Sequence, residues 1–228
     1  MNERILFVGL SAPHDKKKIG SLIIRWAEQP KELLSPSSWF KLWFASHTFI
    51  VFPAHRYRPF YLVNEAAGTM VRWIAQPHFE DHAEVVRLYK FKFDRLEYKA
   101  LKLYGELHSG APYSFMENVG IAWVRLVKLL TGKTVRNPFG SGEGAQKCSE
   151  LVMRNVILRF LQPKNIDLKA LSILIWNERG YELPTDIDTI GVLDIYEVLE
   201  LMADAGFCER VPADDPMRVE PPSLKAVA

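Results

Sequence analysis

The sequence predicts an α+β protein, an antiparallel sheet with helices packed against it. Three observations lead there. Short runs with strand composition, β-branched and aromatic or alternating apolar with polar, are gathered ahead of Asp94. From Asp94 onward the pattern changes to that of apolar-faced helices with recognisable starts and stops. No internal repeat or low-complexity linker divides the 228 residues, so both kinds of element are expected in one domain over residues 1–211.

The elements follow in order. Ile5 to Val8 and Ser21 to Trp26 are short apolar runs expected to be strands, with Pro13 and Lys16-Lys17-Lys18 in the loop between them. Pro30 and Pro36 break the chain, and four aromatics follow within Trp39 to Phe44. Ser46-His47 then opens a β-branched and aromatic run to Phe52 that Pro53 closes, a strand with His47 at its beginning. Phe60 to Ala66 and Thr69 to Ile74 form an expected hairpin through Gly68, with Glu65 inside its first strand. Val85 to Phe93 ends in Tyr89-Lys90-Phe91-Lys92-Phe93, the alternation of a strand with one wet face.

Asp94 with Glu97 three residues later is a capping-box pattern opening a helix to about His108. A second helix is expected over Phe115 to Leu130 with Gly132 as its stop, and a third from Cys148 to Phe160. Beyond Pro163 the reading is a mixed segment to Trp176, a turn at Glu178-Arg179-Gly180, a helix from Asp194 to Ala205 and a short strand from Phe207 to Val211. Residues 212–228, rich in proline and charge, are expected to be a loose tail.

Composition excludes several classes. A net charge of +2 is too small to make nucleic acid or an anionic membrane the main partner. No stretch reaches about 18 apolar residues without charge, so no membrane-spanning helix is expected. Met1 to Leu10 lacks the pattern of a secretory signal, and the two cysteines, Cys148 and Cys208, lie far apart in a chain of ordinary composition. A reducing, cytoplasmic setting is the expectation.

The residues with chemical promise lie around Cys148. The glycine-rich stretch Gly140 to Gly144 runs into Cys148 where a helix should begin, and a helix start favours thiolate because its unpaired N–H groups carry partial positive charge. A cysteine nucleophile also needs a base and a group that orients the base, adjacent in space only. His47 at a strand start and Glu65 inside the following strand are the candidates. Each has an ordinary reading as well: a small core cysteine, a packed strand histidine, a sheet-rim carboxylate.

Taken in order, Ser46-His47 on one strand, Glu65-Ala66 on the next and Lys147-Cys148-Ser149-Glu150-Leu151-Val152 on a late helix resemble the circularly permuted papain-like cysteine hydrolases. This is the permuted branch of the NlpC-type amidases and peptidases, related to the lecithin:retinol acyltransferase-like enzymes. Gly110-Ala111-Pro112-Tyr113 also looks like the family, and the resemblance spans roughly Ile19 to Phe160, with residues of about 115–140 as a helical insertion. It implies a papain-like fold with the histidine strand before the cysteine helix. It implies Cys148 as nucleophile, His47 as base and Glu65 as the group that holds the imidazole, with Tyr113 as a donor near the oxyanion or a substrate contact. Separately, Trp43 in the aromatic stretch Trp39 to Phe44 is a candidate lining of an apolar substrate groove, core packing being the ordinary reading of such residues. The implied activity is hydrolysis of an amide in a peptide or cell-wall-type peptide through an acyl-enzyme, without cofactor or metal. Acting on lipid acyl groups is the alternative within the superfamily, but its acyltransferases usually carry a histidine as the third residue. From another class, a non-enzymatic virion or accessory binding protein would keep the fold with an inert cysteine.

Other signals are weaker. His78, Glu80 and His82 would share one side of a strand and offer metal ligands, but they follow Pro77 in what reads as a polar connection with no second ligand pair. The stretch Gly140 to Gly144 lacks the ending of a phosphate-binding loop, and Glu143 would repel phosphate. Ser149 has no base placed for it, and His14, His55 and His108 are assigned no role.

Overall fold

The structure, a computed structural model, describes residues 3–14, 45–53, 60–139 and 146–212. The expected strand Ser21 to Trp26, the aromatic stretch containing Trp43, His55, the glycine-rich stretch Gly140 to Gly144 and all but the first residue of the tail lie outside the described residues.

Among the described residues six strands form one fully antiparallel sheet: β1 (Arg4–Pro13), β2 (His47–Phe52), β3 (Leu62–Ala67), β4 (Met70–Ala75), β5 (Ala83–Phe93) and β6 (Glu209–Val211), in the order β4-β3-β2-β1-β5-β6. Among the described residues the α-helices are α1 (Gln76–Glu80), α2 (Arg95–Leu107), α3 (Phe115–Thr131), α4 (Cys148–Val152), α5 (Leu158–Leu161), α6 (Leu168–Arg179) and α7 (Val192–Asp204). A π-helical turn, Met153–Ile157, joins α4 to α5. The expected α+β architecture is therefore present, with a few changes. The segment after Pro163 holds a full helix, α6, and Gln76–Glu80 is a short helix because Phe79 turns inward and is fully buried.

Alternation along the strands sets up two apolar faces. Leu6, Val8, Ile50, Phe52, Ala66, Tyr89, Phe91 and Phe93 pack in one core with Leu101 and with Cys148, Leu151, Val152, Ile195 and Leu199 of the helices. Phe7, Phe49, Val51, Val63 and Leu88 belong to a second cluster with Phe79. Along β5 the alternation reverses once. The pairing with β1 slips at Leu10/Ser11, so Val85 joins the second cluster while Tyr89, at the same parity, joins the first.

Two glycines permit the sheet's local geometry. At Gly9, a Cβ would fall 2.2 Å from the Phe49 ring of the paired strand, so only glycine lets that ring lie across β1. Gly68, at φ 67°, makes the two-residue turn between β3 and β4, and its registry puts Glu65 directly opposite Arg72. Downstream, α2 begins as expected: the Asp94 carboxylate accepts from the N–H groups of Leu96 (2.7 Å) and Glu97 (2.8 Å), while Glu97 reaches back to the Asp94 N–H. The strip Gly110 to Tyr113 then bonds along β4, with Val71 N–H on the Ala111 carbonyl and Tyr113 N–H on the Thr69 carbonyl. Gln146 N–H donates to Pro112 and Ser114 N–H to Gln146, so the approach to Cys148 is stitched to the same sheet edge.

Candidate active site

Cys148 is the first residue of α4. Lys147 before it is extended (φ −107°, ψ 161°), and its side chain does not cap the helix but turns into the interior. There its ammonium donates to the Asp188 carbonyl and lies 3.6 Å from a Glu117 carboxylate oxygen, with both side chains fully buried. Burial pulls the Lys147 ammonium below its usual range, opposed first by Glu117. This buried pair ties α3 and the 187–189 turn to the beginning of the cysteine helix. The Ser149 hydroxyl is engaged in donating to the Ile190 carbonyl at 2.7 Å.

His47 begins β2 and Glu65 sits near the middle of β3, opposite Phe49. Because β2 and β3 run antiparallel, His47 and Glu65 approach at the end of the strand pair. His47 Nε2 lies 2.8 Å from Glu65 Oε2. The other carboxylate oxygen, Oε1, accepts a hydrogen bond from Arg72 Nε at 2.8 Å and forms an ion pair with Arg72, whose Nη2 lies 2.7 Å from it. Glu65 is 1 % exposed, His47 17 % and Arg72 39 % by side chain. His82 stands outside this group, with Nε2 3.4 Å from Arg72 Nη2 and 3.9 Å from Glu65 Oε1.

The packing of α4 against β2 sets the Cys148 thiol beside the His47 ring, close enough for the charge on each to act on the other. With Nε2 on Glu65, Nδ1 is the ring nitrogen left for sulfur. Burial by itself would raise the Cys148 thiol, yet the His47 charge and hydrogen bond outweigh it and lower it below its ordinary value. Burial would likewise pull His47 down, but the Cys148 charge, followed by its hydrogen bond and then Glu65, raises it to about 10. For Glu65, burial opposes ionisation, while hydrogen bonds and charge from His47 and then Arg72 bring it to about 2. These directions agree with one another. They describe a row of alternating charge: thiolate, imidazolium, carboxylate, guanidinium.

Tyr113 lies near the sulfur, and its hydroxyl accepts a hydrogen bond from Asn118 Nδ2 at 2.9 Å. Burial first and the Cys148 charge second push its phenol well above the usual range, so it keeps its proton and remains a donor. Cys208 contrasts with Cys148: it is half-buried, burial drives its thiol up to about 12, and its neighbours are Leu199 and the Arg210–Glu200 pair.

The structure thus brings together Cys148, His47 and Glu65, with Tyr113 beside them; Trp43 falls outside the described residues. Sequence reasoning missed Arg72, although counting back across the tight turn at Gly68 would have set it opposite Glu65. It also missed the buried Lys147–Glu117 pair, for which no sequence signal exists. Among the described residues no group of three or more histidine, cysteine or acidic side chains is arranged to hold a metal. His78 is an exposed partner of Asp81 (3.6 Å), Glu80 accepts from Gln76, and His14 and His108 bond to backbone carbonyls. No helix among the described residues is long and apolar enough to cross a membrane. A groove of about 930 Å³ between α3 and the segment after α6 includes none of the three residues; its cations Arg125 and Lys128 are paired with Asp194 and Glu182. No protein-family model matches the chain, and no curated protein or solved structure matches it.

Proposed function

We propose that this chain is a thiol hydrolase that cleaves an amide bond in a peptide-like substrate, with a papain-like fold in permuted order. One observation carries the reading. The cysteine that opens a helix, the histidine that opens a strand and a buried carboxylate form a connected row in which charge favours thiolate and imidazolium together. The preference for an amide over a lipid ester rests on the resemblance, whose acyltransferase branch usually carries a histidine in the place of Glu65.

The chemistry follows from the row. Cys148 Sγ attacks the carbonyl carbon, and the electron pair of the C=O bond moves to oxygen. That oxyanion is met by the Cys148 N–H at the helix start, with the protonated Tyr113 hydroxyl as second donor. His47 gives its proton to the leaving amine as the C–N bond breaks, leaving a thioester on Cys148 and a neutral imidazole. Water then attacks the thioester and loses its proton to His47; the C–S bond breaks, the carboxylic product departs and the ion pair is restored. Throughout, Glu65 holds the ring by Nε2 so that the other nitrogen faces sulfur.

A second reading, a binding protein with an unreactive cysteine, is favoured by the 1 % exposure of Cys148. Thiol labelling separates the two. Exposure alone makes Cys208 the faster site, whereas thiolate character makes Cys148 faster. With iodoacetamide near pH 7 and peptide mapping, Cys148 is expected to label at least about tenfold faster than Cys208, and His47→Ala to remove that advantage. Slow labelling at both sites, or a Cys148 rate indifferent to His47, overturns the enzyme reading.

A further inference from the structure

The row of charged groups does not stop at Glu65. Its two carboxylate oxygens have separate partners: Oε2 faces His47 alone among the hydrogen bonds, and Oε1 accepts from Arg72 Nε, with Arg72 Nη2 2.7 Å away in the ion pair. We propose that Arg72 is a positioning residue of the site, a clamp that fixes one oxygen of Glu65 so that the other stays on Nε2 of His47; this rests on the catalytic reading above.

The geometry supports a clamp more than a general stabilising contact. Arg72 is opposite Glu65 in a hairpin whose two-residue turn leaves the registry no slack. Its Nε hydrogen bond and the Nη2 ion-pair contact fall on the same oxygen, Oε1, which leaves the second oxygen unshared by Arg72. Arg72 is also 39 % exposed, so its guanidinium carries little of the core's packing and its replacement leaves the apolar faces intact. Without it, Oε1 would sit buried with only His82 at 3.9 Å. The carboxylate would then be free to turn, or to take up a proton, and in either case His47 loses its fixed acceptor.

The charged and titratable groups that face Glu65 are His47 from β2, Arg72 from β4 and His82 from the turn before β5, with Cys148 one step beyond His47. A weakened Glu65 makes imidazolium less favourable, and with it the thiolate. The acid limb of Cys148 reactivity therefore moves to higher pH when the clamp is lost.

The test is the iodoacetamide labelling rate of Cys148 in the full chain from pH 4 to 9, for wild type, Arg72→Lys, Arg72→Gln and His82→Gln, with thermal unfolding of each. In Arg72→Gln the acid limb is expected to move up by about one pH unit, so that labelling on that limb falls about tenfold. Arg72→Lys should lie between, because an ammonium is a point charge that does not reproduce the guanidinium fork. His82→Gln should leave the profile close to wild type. A lower unfolding temperature with an unchanged profile in Arg72→Gln and Arg72→Lys makes Arg72 a structural residue and overturns the clamp. If Arg72→Gln does not fold, an unshifted Arg72→Lys profile does the same. Slow wild-type labelling at Cys148 fails the catalytic reading itself, a separate outcome from a fast wild type with unshifted variants.

Discussion

Replacing Glu65 by glutamine keeps the shape of the side chain and removes its charge, so it isolates what the carboxylate contributes. An amide has one acceptor oxygen and one donor nitrogen, whereas the site needs acceptors on both sides, toward His47 Nε2 and toward Arg72. One side must meet a donor with a donor. The size of the loss follows from the ionisation of Glu65: moving a carboxyl from 4.5 to about 2 is worth on the order of 3 kcal/mol, at about 1.4 kcal/mol per tenfold change in proton affinity. The side chain is 1 % exposed, so solvent screening takes little from that figure.

The sign is fixed by the direction. A depressed carboxyl contributes fully above its unfolded value and loses the contribution as pH falls through its folded value, here between about 4.5 and about 2. Urea unfolding of wild type and Glu65→Gln at pH 7, 5, 4 and 3 should show the variant less stable by about 3 kcal/mol at pH 7. The gap should shrink to less than half near pH 3, because only the wild type has the Glu65 contribution to lose over that range. A gap that is the same at pH 7 and pH 3 would mean that glutamine merely fits badly, and the charge argument for the row would fail.

Two further substitutions test the frame around the site. Asp94→Ala removes the one acceptor of two N–H groups at the start of α2 and should cost about 1 kcal/mol in urea unfolding while leaving the Cys148 labelling rate unchanged; an unaltered midpoint would show the cap is idle. In Gly105→Ala the added carbon would meet Trp73 Cζ2 at 2.7 Å and Asn64 Oδ1 at 3.0 Å, so roughly 1–3 kcal/mol of stability should be lost, with a change in tryptophan fluorescence as Trp73 shifts. Stability equal to wild type would show that α2 simply moves away from the sheet.

Local chemistry made much of this legible. His47 reads as a strand start because a β-branched and aromatic run follows it and Pro53 closes it, and β2 occupies His47–Phe52. The capping box at Asp94 involves residues three apart, so it forms wherever the rest of the chain goes. Arg72 was legible too, since a two-residue turn converts position along the chain into position across the sheet. The turn at Gln76–Glu80 was not, because Phe79 is a lone aromatic in a polar string and its inward direction depends on a Phe49 ring 4.5 Å away.

By itself, then, the sequence determined the elements whose causes lie within a few residues: strand runs, the hairpin at Gly68, the helix cap, the glycine stop at Gly132 and the turn at Gly180. It also offered Cys148, His47 and Glu65 as candidates, but their separation of 101 and 83 residues from the cysteine (148 − 47 and 148 − 65) left their meeting to resemblance. Tertiary structure decided the electrostatics. Whether a thiol favours its charged form depends on burial and on which charge packs beside it, and only the packing of α4 against β2 set Cys148 next to His47. The same holds for Lys147, ordinary in sequence and fully buried in the fold, because Glu117 and the Asp188 carbonyl come to it from distant parts of the chain.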